Sequence, residues 1–83
     1  MTIKELITEL QAIENQDRLV IIQRDPEGNG YMPLTGVWAT ANYSPYSPSQ
    51  GEAGIEKLTP ELRSNGYSEE DVNDGTPAVV LQP

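Results

Sequence analysis

The chain contains no cysteine, no histidine and no phenylalanine, and only 5 of its 83 residues are Lys or Arg, against 13 Asp or Glu. Each scarcity excludes something. Without Cys there are no disulfides to staple a small fold. Without Cys and His, zinc-type ligand sets and the Ser-His-Asp and Cys-His nucleophile arrangements cannot be assembled. The formal net charge is −8, and the cations Lys4, Arg18, Arg24, Lys57 and Arg63 are scattered. The counterion-releasing contacts that hold proteins on DNA, RNA or anionic lipid are therefore missing, so neither direct nucleic-acid binding nor membrane association is expected. No apolar run approaches the ~20 residues of a membrane-spanning helix. The opening Met1-Thr2-Ile3-Lys4-Glu5 is interrupted by charge and does not read as a signal peptide. These absences point to a cytoplasmic protein with no catalytic residues, no metal site and no cofactor.

What is present fits one domain spanning residues 1–83, with the thin core of a chain that buries only about 60–65% of its unfolded surface. Ile3, Leu6, Ile7, Leu10 and Ile13 recur at helical spacing, with Lys4, Glu5, Thr8, Glu9 and Gln11 opposite them. Thr2 and Glu5 match a capping box, which starts the helix at Ile3. Such an amphipathic helix must pack on something, and a sheet is the expected support. Arg18–Gln23 reads as a strand whose four consecutive apolar residues call for cover on both faces. Asp25-Pro26-Glu27-Gly28-Asn29-Gly30 is dense in turn formers. A second strand is expected from about Thr35 to Tyr43, in a hairpin with the first. Val37, Ala39, Ala41 and Tyr43 would share one face, with Trp38, Thr40 and Asn42 on the other.

Tyr43-Ser44-Pro45-Tyr46-Ser47-Pro48 is a tandem Tyr-Ser-Pro repeat without hydrophobic period, and the stretch from Asn42 to Gly54 is expected to be a long irregular loop. Thr59-Pro60 reads as a helix start that Gly66 ends. Ser68 caps a second short turn through Glu69, Glu70 and Asp71, where the helix dipole favours acids. Ala78–Leu81 is the last strand, with Pro77 tolerated where it begins. The expected fold is α+β: an N-terminal amphipathic helix packed on a small, mainly antiparallel sheet of about three strands, with short helical turns before the last strand. The first and last strands, being the most apolar, are expected to be central.

Thirteen acids create carboxylate pairs by chance, so none marks acid–base chemistry. Asp25, Glu27, Asn29 and Gly30 match the opening of a calcium loop, with Tyr31 placed to offer a backbone carbonyl. The match then fails, because Pro33 falls at position nine and Gly36 where a bidentate Glu is needed. A solvated hairpin turn accounts for these residues better. Trp38, Tyr43, Tyr46 and Tyr31 join apolar faces to polar tips, a chemistry enriched at binding hot spots; they form a candidate contact patch, or else complete the thin core. The acids Glu69, Glu70 and Asp71 either serve a basic partner by imitating phosphate spacing or simply face water.

The segment Glu27-Gly28-Asn29-Gly30-Tyr31 followed by Pro33-Leu34, together with the opening Met1–Ile7, the strand Leu19–Ile22 and the ending Ala78–Pro83, resembles small acidic proteins encoded by tailed bacteriophages and prophages. The Tyr-Ser-Pro repeat lies outside that resemblance. What it implies is a genome context, with no catalytic residues to carry over. In that context a non-enzymatic protein acts by binding, and three classes follow. A counter-defence protein would block a host protein, with Asp25, Glu27, Asn29, Tyr31, Trp38, Tyr43, Tyr46, Glu69, Glu70 and Asp71 as contact residues. A sponge for a signalling nucleotide would need Arg24, Gly28, Gly30, Tyr31 and Trp38, at the interface of a homo-oligomer. A virion structural or assembly accessory is the third.

Overall fold

Thr2 caps the first helix as its pattern requires. Its hydroxyl accepts from the Glu5 backbone N–H at 3.2 Å, and the Glu5 carboxylate accepts in return from the Thr2 N–H. A computed structural model describes every residue from Met1 to Pro83. The chain is α+β and divides into two compact units, Met1–Pro33 and Leu34–Pro83. No helix is long and apolar enough to cross a membrane.

The first unit holds helix α1 (Ile3–Gln11) and a two-stranded antiparallel ribbon of β1 (Ile21–Gln23) and β2 (Tyr31–Pro33). The first strand is shorter than the expected Arg18–Gln23, and it is not central. Its partner is β2 and not the expected strand from Thr35 to Tyr43. The turn residues Asp25–Gly30 and the missing N–H of Pro33 confine that partner to three residues, so of the apolar run only Ile21 and Ile22 find a ladder. The expected cover on both faces is absent: Leu19 is 82% exposed, and Val20 and Ile21 are about half exposed. No residue of α1 is buried, and of its apolar stripe only Leu6 is half-buried.

The second unit is a three-stranded antiparallel sheet in the order β4-β3-β5, built from β3 (Gly36–Ser47), β4 (Gln50–Ile55) and β5 (Thr76–Gln82). The centre is β3, not the last strand, which lies at an edge. There Pro77 needs no second ladder. The expected pairing of strands one and two is replaced by β3–β4 and β3–β5 pairing. The expected irregular loop is instead a hairpin: β3 runs through the first Tyr-Ser-Pro copy to Ser47 and returns as β4, with a register shift between Pro45 and Ser47. Proline is tolerated there because the β5 pairing ends at Tyr43–Thr76, which leaves β3 with one neighbour beyond that point.

A second irregularity overturns the predicted faces of β3. Trp38 pairs with Val80 and Ala41 with Ala78, so β3 carries one extra residue in between. Such a bulge reverses the alternation and puts Trp38 and Ala41 on one face. Ala41 is fully buried in the row Ile55–Ala41–Ala78, and Ile55 is the other buried apolar residue.

Between β4 and β5 the chain forms α2 (Pro60–Ser64) and a 3-10 turn (Glu69–Asp71). Thr59 caps α2, accepting from the Leu62 N–H at 3.1 Å, and Gly66 follows with φ +98° as its stop. The chain then runs alongside β4, where Val72 bridges Ile55 in parallel and the Asn73 N–H donates to the Ile55 carbonyl. From there it crosses the sheet to β5. Asn73 is buried in this crossing. Its Oδ1 accepts from the Ser44 hydroxyl at 2.8 Å and the Gly75 N–H at 2.7 Å, and its backbone carbonyl accepts from Asn42 Nδ2 at 2.8 Å. The path is close enough to require glycine. A Cβ on Gly54 would sit 2.5 Å from the Asp71 carbonyl, and one on Gly75 would overlap the Tyr43 carbonyl.

Removing the Asn73 side chain strands the Ser44 hydroxyl and the Gly75 N–H. Asn73→Ala is expected to destabilise the Leu34–Pro83 unit by about 2–3 kcal/mol. Urea unfolding followed by the fluorescence of Trp38, the one tryptophan in the chain, measures it; a loss below about 0.5 kcal/mol would contradict the role given to Asn73.

Candidate functional site

In the first unit, the turn that links β1 to β2 is organised by Asp25. Its Oδ1 accepts from the backbone N–H groups of Glu27 (3.0 Å) and Asn29 (3.1 Å), and its Oδ2 accepts from Asn29 Nδ2 at 3.1 Å. Gly28 takes φ +77°, and the Arg24 N–H closes the turn on the Gly30 carbonyl at 2.9 Å. Hydrogen bonds from the Asn29 backbone and then its side chain favour the ionised form and hold the Asp25 carboxyl below its ordinary value of 3.8. The carboxylate thus serves its own loop, and the Glu27 and Asn29 N–H groups that an anionic ligand would seek are already engaged. No group of three or more acidic side chains is placed to hold a metal ion. Tyr31 is 62% exposed, with its hydroxyl lying over Gly28.

In the second unit, the end of β4 and the 3-10 turn enclose a depression of about 200 Å³. Trp38 from β3 and Tyr67 from the loop after α2 line it beside the acids Glu52, Glu70 and Asp71, and no Lys or Arg does. A second hollow of about 240 Å³ shares Trp38, Ile55 and Tyr67 and extends toward Leu62 and Lys57. Trp38 reaches this site because the bulge turns it onto the Ala41 face. Tyr67 is placed by the α2 stop, where its N–H donates to the Leu62 carbonyl at 3.1 Å. Carboxylates beside aromatic rings suit a cationic group, through charge-assisted hydrogen bonds and cation–π attraction.

The acids differ in their freedom. Asp71 accepts from the Ser68 N–H at 2.8 Å and so fastens the 3-10 turn. Glu69 lies 3.8 Å from Arg63 in an exposed ion pair, which contributes little stability. Glu52 accepts from the Tyr46 hydroxyl at 2.7 Å across the β3–β4 hairpin. That bond, with burial and the Glu52 charge behind it, raises the Tyr46 phenol above its ordinary value of 10.0.

The nominated residues therefore fall into groups. Arg24, Asp25, Glu27, Gly28, Asn29, Gly30 and Tyr31 share the turn of the first unit. Trp38, Glu70 and Asp71 meet in the depression of the second, with Glu69 on the same 3-10 turn. Tyr46 is linked to the depression through Glu52, and Tyr43 lies in β3, 38% exposed. Sequence reasoning missed Tyr67 and Glu52 as lining residues and Asn73 as the scaffold. Tyr67 directly follows the Gly66 stop, and that adjacency was its available signal. No known protein family, curated protein or solved structure matches this chain.

Two titrations check this electrostatic description. Asp25 has a depressed folded-state value, so its bonds stabilise the turn fully above the ordinary value of 3.8 and are lost as pH falls through the lower folded value. Carboxyl-carbon NMR should place its midpoint below the ordinary value of 3.8, and Asn29→Ala should raise it. Tyr46 is raised, so its bond to Glu52 is intact below the ordinary value of 10.0 and is lost as pH climbs through the higher folded value. Phenolate absorbance should show this titration moving down in Glu52→Gln.

Proposed function

We propose that this chain is a non-enzymatic phage or prophage accessory protein that acts in the host cytoplasm as a counter-defence factor, binding and blocking a host protein that presents a basic surface. The observation that carries the reading is the depression where Trp38 and Tyr67 stand beside Glu52, Glu70 and Asp71 with no cation among them. The charge of −8 supports it: an acidic surface steers a basic partner into encounter, and like-charged partners are refused. The resemblance to small acidic phage proteins supplies the context. In this reading a Lys or Arg side chain of the partner enters the depression against Trp38 and Tyr67, while Glu69 and Glu70 act from the rim.

The reading is tested by capture of a host partner on the immobilised protein, followed by titration of that partner. The double variant Glu69→Lys, Glu70→Lys leaves Asp71 in place to hold the 3-10 turn. It should weaken binding by about 10-fold or more, chiefly through slower association. Wild-type affinity should fall steeply as salt rises. A partner whose affinity is indifferent to both changes would remove the acidic-surface reading.

A further inference from the structure

The three-stranded sheet has two edges, and the fold treats them differently. The β4 edge is covered by its own chain, through the Ile55–Val72 bridge and the bond from the Asn73 N–H to the Ile55 carbonyl at 2.9 Å. The β5 edge pairs with nothing: over seven residues, Thr76–Gln82, the strand has β3 on one side only. Natural edge strands repel wrong partners with charges, bulges, short length or proline. Here β5 has no charged residue, and the bulge of this ladder belongs to β3. Pro77 guards only the start of the strand, leaving the N–H groups of Ala78–Gln82 intact. Leu81 and its cross-strand partner Val37, one pair in from the Gly36–Gln82 end of this ladder, stand 42% and 58% exposed.

The distribution of charge says what fits this edge. All the charged residues of the Leu34–Pro83 unit lie between Glu52 and Asp74, and β3 and β5 carry none. A second copy of this chain brings another −8, so it can approach closely only through a neutral surface. The β5 edge is such a surface, and an antiparallel strand pair is self-complementary under a two-fold axis. We infer that β5 is the seam of a homodimer, in which its open edge pairs antiparallel with β5 of a second copy about Val79, the midpoint of the strand. The two three-stranded sheets then form one continuous sheet, with main-chain hydrogen bonds as the source of affinity. Each dimer would carry two acidic depressions and engage a repetitive or dimeric partner with avidity.

Sedimentation equilibrium of the full chain over the micromolar range tests this inference. The wild type is expected at twice its 9.1 kDa chain mass. Val79→Lys and Val79→Glu each place like charges face to face at the seam and should sediment as monomers. Mixed in equal amounts they should return to the dimer mass, because Lys then faces Glu. Circular dichroism and Trp38 fluorescence confirm that each variant is folded; if the Val79 variants are not, Thr76 and Gln82, which are exposed and face each other across a seam centred on Val79, are both changed to Lys in one variant and both to Glu in another. A wild type that stays monomeric through the high-micromolar range overturns the inference. So does a dimer that survives either charged variant, or a mixture that remains monomeric.

Discussion

The second unit depends on one crossing of the chain. To place β5 beside β3, the polypeptide must leave the outer edge of β4 and pass over the sheet at the row Gly54–Asn42–Pro77. A backbone laid across a sheet normally loses its hydrogen-bond partners, and each unpaired buried group costs about 1–3 kcal/mol. Asn73 offsets much of that cost by acting in both directions: it donates to β4, and it accepts from Asn42, Ser44 and Gly75, with Asn42 Oδ1 left as a buried oxygen without a partner. The absence of side chains at Gly54 and Gly75 gives the crossing its clearance. With a buried apolar core of little more than Ala41 and Ile55, this polar lock carries a share of specificity that larger domains assign to packing.

The same crossing creates the candidate site. The strand bridge at Val72 sets the 3-10 turn against β4, which brings Glu70 and Asp71 toward Glu52. The bulge in β3 turns Trp38 onto the side of Ala41 and Ile55, and the α2 stop brings Tyr67 to the same hollow. Four separate stretches of chain thus meet at one hollow, each held by a local device: a bulge, a hairpin, a glycine stop and a capped turn. The charge pattern follows the same division. The acids of this unit are confined to the segment that builds the hollow, while the central strand and β5 are neutral. Solvation accounts for acids anywhere on a surface; the observation behind the proposed cation-binding role is that three of them, Glu52, Glu70 and Asp71, line the hollow together with Trp38 and Tyr67.

Local signals in the chain were legible wherever a short-range rule governs. The Thr2–Glu5 capping box, the Thr59-Pro60 start, the Gly66 stop, the acidic turn after Ser68 and the turn held by Asp25 all stand where residue chemistry placed them, because each is decided within a few residues. The α+β class was legible for the same reason. The Tyr-Ser-Pro repeat was misleading: proline and missing periodicity speak for a loop, yet a strand with one neighbour accepts both. The apolar run before Gln23 misled in the opposite sense, since four apolar residues cannot form a ladder longer than their partner offers.

What the sequence by itself determined is thus the set of capped ends and turns, the exclusion of Cys- and His-based chemistry, and the sign of the charge. Which strand is central, which face Trp38 occupies and which acids share a hollow were decided only by tertiary structure. Strand order depends on pairing between residues far apart in the chain, and a single extra residue between Trp38 and Ala41 exchanges the two faces of β3. No local pattern announces that bulge, because it is a property of the register between β3 and β5, two stretches far apart in the chain.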